Sequence, residues 1–213
     1  AAAVAHTAAL ASDDRVVDGA LRQAGIVRVT RYSQLLLAAK GFAAVGLPRG
    51  DRVAFLAPSG AMLVCLADLC RHGLGLRVTD LEEATRARLQ AMSPPYIRMR
   101  NPVDIWPAAA TLGVEAAYRD GADAVLGDAN VDALVSILLL ADGTGVPELD
   151  FLVDLARRHP GKPHLVGFTG QREHMEAAKA YLEPRGVPTF PLIEDPFEVL
   201  DSLVRCWRSL ERP

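Results

Sequence analysis

Short apolar runs separated by turn-forming clusters recur along the chain, and their lengths and spacings alternate between those of a buried strand and those of a helix. The pattern is clearest from Arg52 to Cys70. Val53, Ala54, Phe55, Leu56 and Ala57 form an unbroken apolar run, which predicts a parallel strand covered on both faces. Pro58, Ser59, Gly60 and Ala61 turn the chain, and from Met62 onward Leu63, Leu66, Leu69 and Cys70 recur at helical spacing. Ser59 is a candidate N-cap, and Gly60 lets backbone come close to a ligand. A helix that starts just past the carboxyl end of a parallel strand offers free N–H groups and the positive end of its dipole to an anion.

Before that unit, Asp13 and Asp14 cap a predicted helix that Gly25 stops, and Ile26 to Val29 reads as a short extended piece. Thr30 and Ser33 introduce a second helix to about Val45, with Leu35, Leu36, Ala39 and Phe42 expected on its inner side. Pro48, Arg49 and Gly50 place a boundary near residue 48. The chain thus divides into a histidine-bearing segment with a helical arm, 1–47, and a sheet-bearing domain, 48–213.

After it come a strand at Leu76 to Val78, a helix from Leu81 to Met92, and Asn101 to Ile105, which reads as a loop visiting the ligand edge of the sheet. Leu112 to Leu126 is predicted helical. Val131 to Leu140 is apolar almost throughout and predicts a central strand, which runs into the glycine-rich turn Ala141 to Gly145. A helix from Glu148 to His159, a strand from His164 to Phe168, a helix to Leu182, a short strand at Thr189 to Leu192 and a helix from Asp195 complete the order. Five strands alternating with helices predict a doubly wound parallel α/β sheet, flavodoxin-like, with strand order 2-1-3-4-5. In that order the first and third strands meet at the switch point, so the turns at Ser59–Gly60 and Gly143–Gly145 are expected to flank one crevice.

Composition narrows the function. The net charge of −3 and the absence of a basic stripe argue against nucleic acid, and no apolar run is long enough to span a membrane. A cytoplasmic setting is expected. Cys65, Cys70 and Cys206 are too few and too irregular for a disulfide framework or a zinc site, and Cys65 and Cys70 read as core residues. The histidines form no metal-ligating pair, so no metal ligand is expected. Trp106 and Trp207 read as packing residues, Asn101 and Asp104 as turn or cap formers, and Asp142 as an acid at a strand end.

Three short motifs carry a family resemblance: AHTAALAS around His6, APSGAML around Ser59, and NPVDI from Asn101. In their order and spacing the chain resembles the carboxyl-terminal half of the NDP-forming acyl-CoA synthetases, relatives of succinyl-CoA synthetase and of ADP-forming acetyl-CoA synthetases. The resemblance implies a phosphoryl relay that interconverts acyl-CoA, NDP and phosphate with acid, CoA and NTP. His6 matches the histidine that is phosphorylated, and Ser59, Gly60 and Ala61 match the turn that offers it a helix N-terminus. Asp142, Gly143 and Thr144 match a further phosphate-binding loop. The resemblance also implies CoA, ATP or ADP, and magnesium held by CoA-binding and ATP-grasp domains or subunits outside this sequence, since no GxGxxG follows a strand here. This chain is therefore not expected to make a thioester alone.

Ala5, Ala8 and Ala61 stand where the family usually has serine, glycine and glycine. They keep open a second reading, a non-catalytic binding or assembly module of the same fold. A third is a flavodoxin-like domain holding a small phosphate ligand such as flavin. The arm is expected to expose an apolar patch that favours association, including with a second copy.

Overall fold

The computed structural model describes residues 13–144 and 147–211. His6 lies outside them. Two helices come first, α1 (Asp14–Gln23) and α2 (Tyr32–Ala44), followed by β1 (Arg52–Ala57) and α3 (Gly60–Gly73). Next are β2 (Arg77–Val78), α4 (Glu83–Ala91), β3 (Val103–Asp104), α5 (Trp106–Leu112) and α6 (Val114–Leu126). The chain continues through β4 (Ala133–Leu140), α7 (Asp150–Arg158), β5 (His164–Gly170), α8 (Arg172–Leu182), β6 (Thr189–Phe190) and α9 (Asp195–Leu210).

The sheet runs β2-β1-β4-β5-β6, and every pairing is parallel. This is the predicted 2-1-3-4-5 order with one addition. The stretch expected to be a loop at Asn101 to Ile105 forms β3, which pairs Leu56 with Val103 and Ala57 with Asp104. The outer neighbour of β1 is therefore two short strands end to end, β2 at its start and β3 at its finish.

Side chains alternate across the sheet and split the core in two. Ala54 and Leu56 of β1 join Leu134 and Leu138 of β4 against Leu89, Tyr118, Val125, Leu152 and Leu182 of α4, α6, α7 and α8. Val53, Phe55 and Ala57 join Val135 and Ile137 against Leu63, Leu66, Phe197 and Leu203 of α3 and α9. The ring of Phe55 meets that of Phe197 edge to face at 5.1 Å.

Between β2 and β3 the ladder has a gap, and Asn101 fills it. Its buried carboxamide donates from Nδ2 to the carbonyls of Val53 (2.9 Å) and Thr79 (2.8 Å) and accepts the Phe55 N–H at Oδ1 (3.1 Å). One side chain thus substitutes for a strand residue on two sides. The physical reason for the expected loop is plain: two-residue strands carry no periodicity.

The arm packs on the sheet-bearing part through α9. A Cβ placed on Gly41 would lie 2.2 Å from Val199 Cγ1, so only glycine permits this approach. Arg31 and Gln34 both reach Glu198. The inner face of α2 is Ala38 and Gly41, whereas Leu35, Leu36 and Phe42 are exposed, and so is Ala39. The expected face is rotated because α2 is apolar nearly all round, and the closest contact selects its small residues. Trp106 is exposed, and so is Cys65, while Cys70 is buried and its thiol is pushed up to about 12 by burial. No helix among the described residues is long and apolar enough to cross a membrane.

One buried polar pair lies between β4 and β5, where His164 Nε2 and Ser136 Oγ are 2.9 Å apart. Burial pushes the His164 imidazole down to about 3, so it stays neutral when folded. The unfolded chain gains a proton near the ordinary value of 6.5 that the folded chain refuses, so stability falls as pH drops from 6.5 toward about 3. The expected slope from this residue is about 1.4 kcal/mol per pH unit within that window. Urea midpoints measured across the window, for the native chain and for His164→Gln, check it; equal slopes would refute a neutral buried imidazole. Asn101→Ala is expected to cost on the order of 3 kcal/mol, since it strands a buried donor and acceptor of β1. The same denaturation series reads that loss.

Candidate functional site

The first candidate site is the start of α3. Ser59 is extended at φ −155° and ψ 124°, and its hydroxyl accepts the Met62 N–H at a long 3.5 Å. The Ser59 carbonyl takes the Leu63 N–H at 3.0 Å. Gly60 and Ala61 are exposed, so the first turn of a 14-residue helix opens to solvent at the carboxyl end of β1. Such an end attracts negative charge.

A carboxylate already stands there. Asp104, placed beside Ala57 by the β1–β3 pairing, accepts the Trp106 N–H at 3.1 Å, and its Oδ2 lies 3.7 Å from where a Gly60 Cβ would be. Ser59, Gly60 and Asp104 are thus one cluster, assembled from the second and third sequence motifs. The signal for it was NPVDI itself: Asn101 completes the sheet, and Asp104, three residues on, is delivered to the helix start.

Asp142, Gly143 and Thr144 form a single 3-10 turn after β4. The hydrogen bonds of Asp142 go to residues outside that cluster. Ser136 is the last β4 residue paired with β1, and β4 continues to Leu140 alongside β5. At roughly 3.3 Å per residue the Asp142 turn, which follows Leu140, leaves β4 some 10 Å past the level at which β1 ends. It meets the start of α8 instead, where Asp142 Oδ1 lies 2.7 Å from His174 Nε2 and Oδ2 accepts from Gln171 Nε2 at 3.1 Å. Gln171 Oε1 in turn accepts the Asp142 N–H at 3.2 Å. The His174 and Gln171 side chains hold the Asp142 carboxyl below the usual carboxylate range. Sequence reading missed both partners, because a pairing across two strands leaves no local spacing to find.

Among the described residues no three His, Cys, Asp or Glu side chains converge in a way that could hold a metal ion. Electrostatically, the start of α3 can orient an anion that approaches from solvent, with Asp104 limiting how much negative charge it accepts.

Comparison with known proteins fits these motifs. The family model described as "Succinyl-CoA ligase like flavodoxin domain" matches residues 1–42, which hold His6 and most of the arm. The ADP-forming acetate–CoA ligase II of Archaeoglobus fulgidus is 30% identical over 96% of this chain and 30% of its own length. The alpha subunit of the ADP-forming acetate–CoA ligase II of Pyrococcus furiosus is 32% identical over 96% of this chain and 44% of its own length. In fold, the chain matches the dinucleotide-forming acetyl-coenzyme A synthetase 1 of Ca. Korarchaeum cryptofilum, solved with phosphate and ADP. That match has a TM-score of 0.82 at 23% identity and covers 98% of this chain and 44% of the other. This chain spans less than half the length of each of these relatives.

Removing the Ser59 hydroxyl tests its capping role. Ser59→Ala is expected to lower stability by about 1 kcal/mol, whereas Ser59→Gly costs only a few tenths. Thermal unfolding of the two variants reads the difference, and equal losses would count against the cap.

Proposed function

We propose that this chain, similar over nearly its whole length to part of the NDP-forming acyl-CoA synthetases, is the carboxyl-terminal ligase part of such an enzyme. Residues 1–47 bring the histidine segment and the arm, and residues 48–213 bring the sheet and the phosphate-receiving turn. The observation that carries the reading is the joint presence, in family order, of the AHTAALAS, APSGAML and NPVDI motifs, two of which assemble around the start of α3.

In this reading His6 is the nucleophile. Its imidazole attacks the phosphorus of an acyl phosphate, the acid leaves with the bridging oxygen, and the phosphate then passes from the ring nitrogen to a nucleoside diphosphate. Ser59, Gly60 and Ala61 receive the phosphohistidine oxygens through the N–H groups of the first turn of α3. Asp142, Gly143 and Thr144 form a further phosphate-binding loop in this reading, with Asp142 engaged by His174. CoA, nucleotide and magnesium are assigned to CoA-binding and ATP-grasp domains or subunits, and among the described residues no group of His, Cys, Asp or Glu side chains could hold a metal ion. The setting proposed is the cytoplasm.

Intact mass spectrometry of the protein from its host tests the relay and its context together. With acyl-CoA, phosphate and the partner domains supplied, one acid-labile phosphate is expected, and it is lost in His6→Ala. An unphosphorylated native chain under those conditions would overturn the relay. It would leave the binding-module reading, to which Ala8 and Ala61 already lean.

A further inference from the structure

The arm lacks partners on its outer side. Helix α1 buries none of its 10 residues, and a helix that short is marginal in water without a packed face. Val16 on it is 67% exposed. On α2, Tyr32, Leu35, Leu36, Ala39 and Phe42 are all exposed, at the spacing of neighbours on one helix face. The charged surfaces, by contrast, carry their own counterparts: in a cavity of about 500 Å³ beyond β5, Arg172, Lys179 and Lys40 are offset by Glu176 and Glu183.

Between the two helices, Ile26 to Val29 is neither helical nor paired in the sheet. Its ends are tied down. The Ile26 N–H goes to the Leu21 carbonyl at 2.9 Å, and the N–H groups of Thr30 and Arg31 go to Gln34 Oε1. Arg205 donates to the Arg28 carbonyl at 2.9 Å. The backbone N–H and C=O groups of Val27 and Val29, however, make no hydrogen bond with any described residue. In an extended chain successive residues turn these groups to opposite edges, so with Arg28 held by Arg205, Val27 and Val29 share the other edge. Branched residues with open backbone groups have the character of an edge strand without its sheet.

The sheet of β1 to β6 does not supply that partner. It pairs its own strands without the arm and is covered on both faces. The family model that matches residues 1–42 describes a flavodoxin domain, ends within α2 and so shares no strand with this sheet. A flavodoxin-type sheet has five strands, and toward one the matched stretch offers Ile26 to Val29 among its described residues.

We infer that the arm is the edge unit of a second flavodoxin-like domain, whose parallel sheet lies outside 48–213 and takes Ile26 to Val29 as a strand. Main-chain hydrogen bonds to Val27 and Val29 fix the register, while α1 and the outer face of α2 lie against that sheet. Because α2 also packs on α9 at Gly41, the arm is a wall shared by two sheets. This occupant is distinct from the CoA-binding and ATP-grasp partners, and it does not depend on His6 as nucleophile.

Hydrogen–deuterium exchange of the protein purified from its host, set beside the recombinant 213-residue chain, tests this. The Val27 and Val29 amides are expected to exchange about a hundredfold or more slowly in the host protein, while those of β4 exchange alike in both. Leu35→Asp/Leu36→Asp, expressed in the host, is expected to restore fast exchange at Val27 and Val29 and to leave the unfolding temperature of the recombinant chain unchanged, since both side chains are exposed. His6→Ala is expected to keep the protection, which separates this interface from the relay. Equal exchange of Val27 and Val29 in the two native samples would overturn the proposal. So would a dimer of the recombinant chain, by light scattering, in which those amides become protected, because the face then belongs to a second copy.

Discussion

The outer edge of β1 is closed by a side chain. β2 covers its first two residues and β3 its last two, and between them the Asn101 carboxamide takes the Val53 carbonyl and the Phe55 N–H. A buried strand in a parallel sheet has no water with which to satisfy those groups, so without the carboxamide they would be stranded in the core. The positions of β3 and of everything it delivers follow from that bridge.

What it delivers is the cluster at the start of α3. Once Asn101 is seated, Val103 and Asp104 pair with Leu56 and Ala57, and the Asp104 carboxylate comes to rest near Gly60 and the Trp106 N–H. Folding and the candidate site are thus joined through one short motif. Asn101 works in the ladder, while Asp104 sets the charge facing an open helix end. The expectation that these residues form caps and turns holds for Asp104, which accepts a backbone N–H two residues on, and falls short for Asn101, whose partners are 48 and 22 residues away.

The carboxyl edge of the sheet is stepped. β1 ends early and β4 and β5 run on together, so anion-friendly features lie at different heights. The Ser59 turn sits low beside Asp104, the Asp142–His174 pair stands higher, and the cavity with Arg172 and Lys179 lies beyond β5. The arm reaches this edge through Lys40 while α2 is held on α9 at Gly41, so it is packed into the domain and still exposes Tyr32, Leu35 and Leu36.

The sequence by itself determined the alternation of strands and helices, the parallel sheet and its strand order, and the Ser59 cap, because apolar periodicity and turn chemistry act within a few residues. The motif order likewise pointed to the acyl-CoA synthetases without coordinates. Tertiary structure decided the rest: which face of α2 is buried, that Asn101 replaces a strand residue, that Asp142 pairs with His174, and that Arg172 and Lys179 share a cavity with Lys40. Each of these depends on strand lengths and on contacts between residues far apart in the chain. Local spacing carries no record of such distances, since they are set by where one strand stops beside its neighbour.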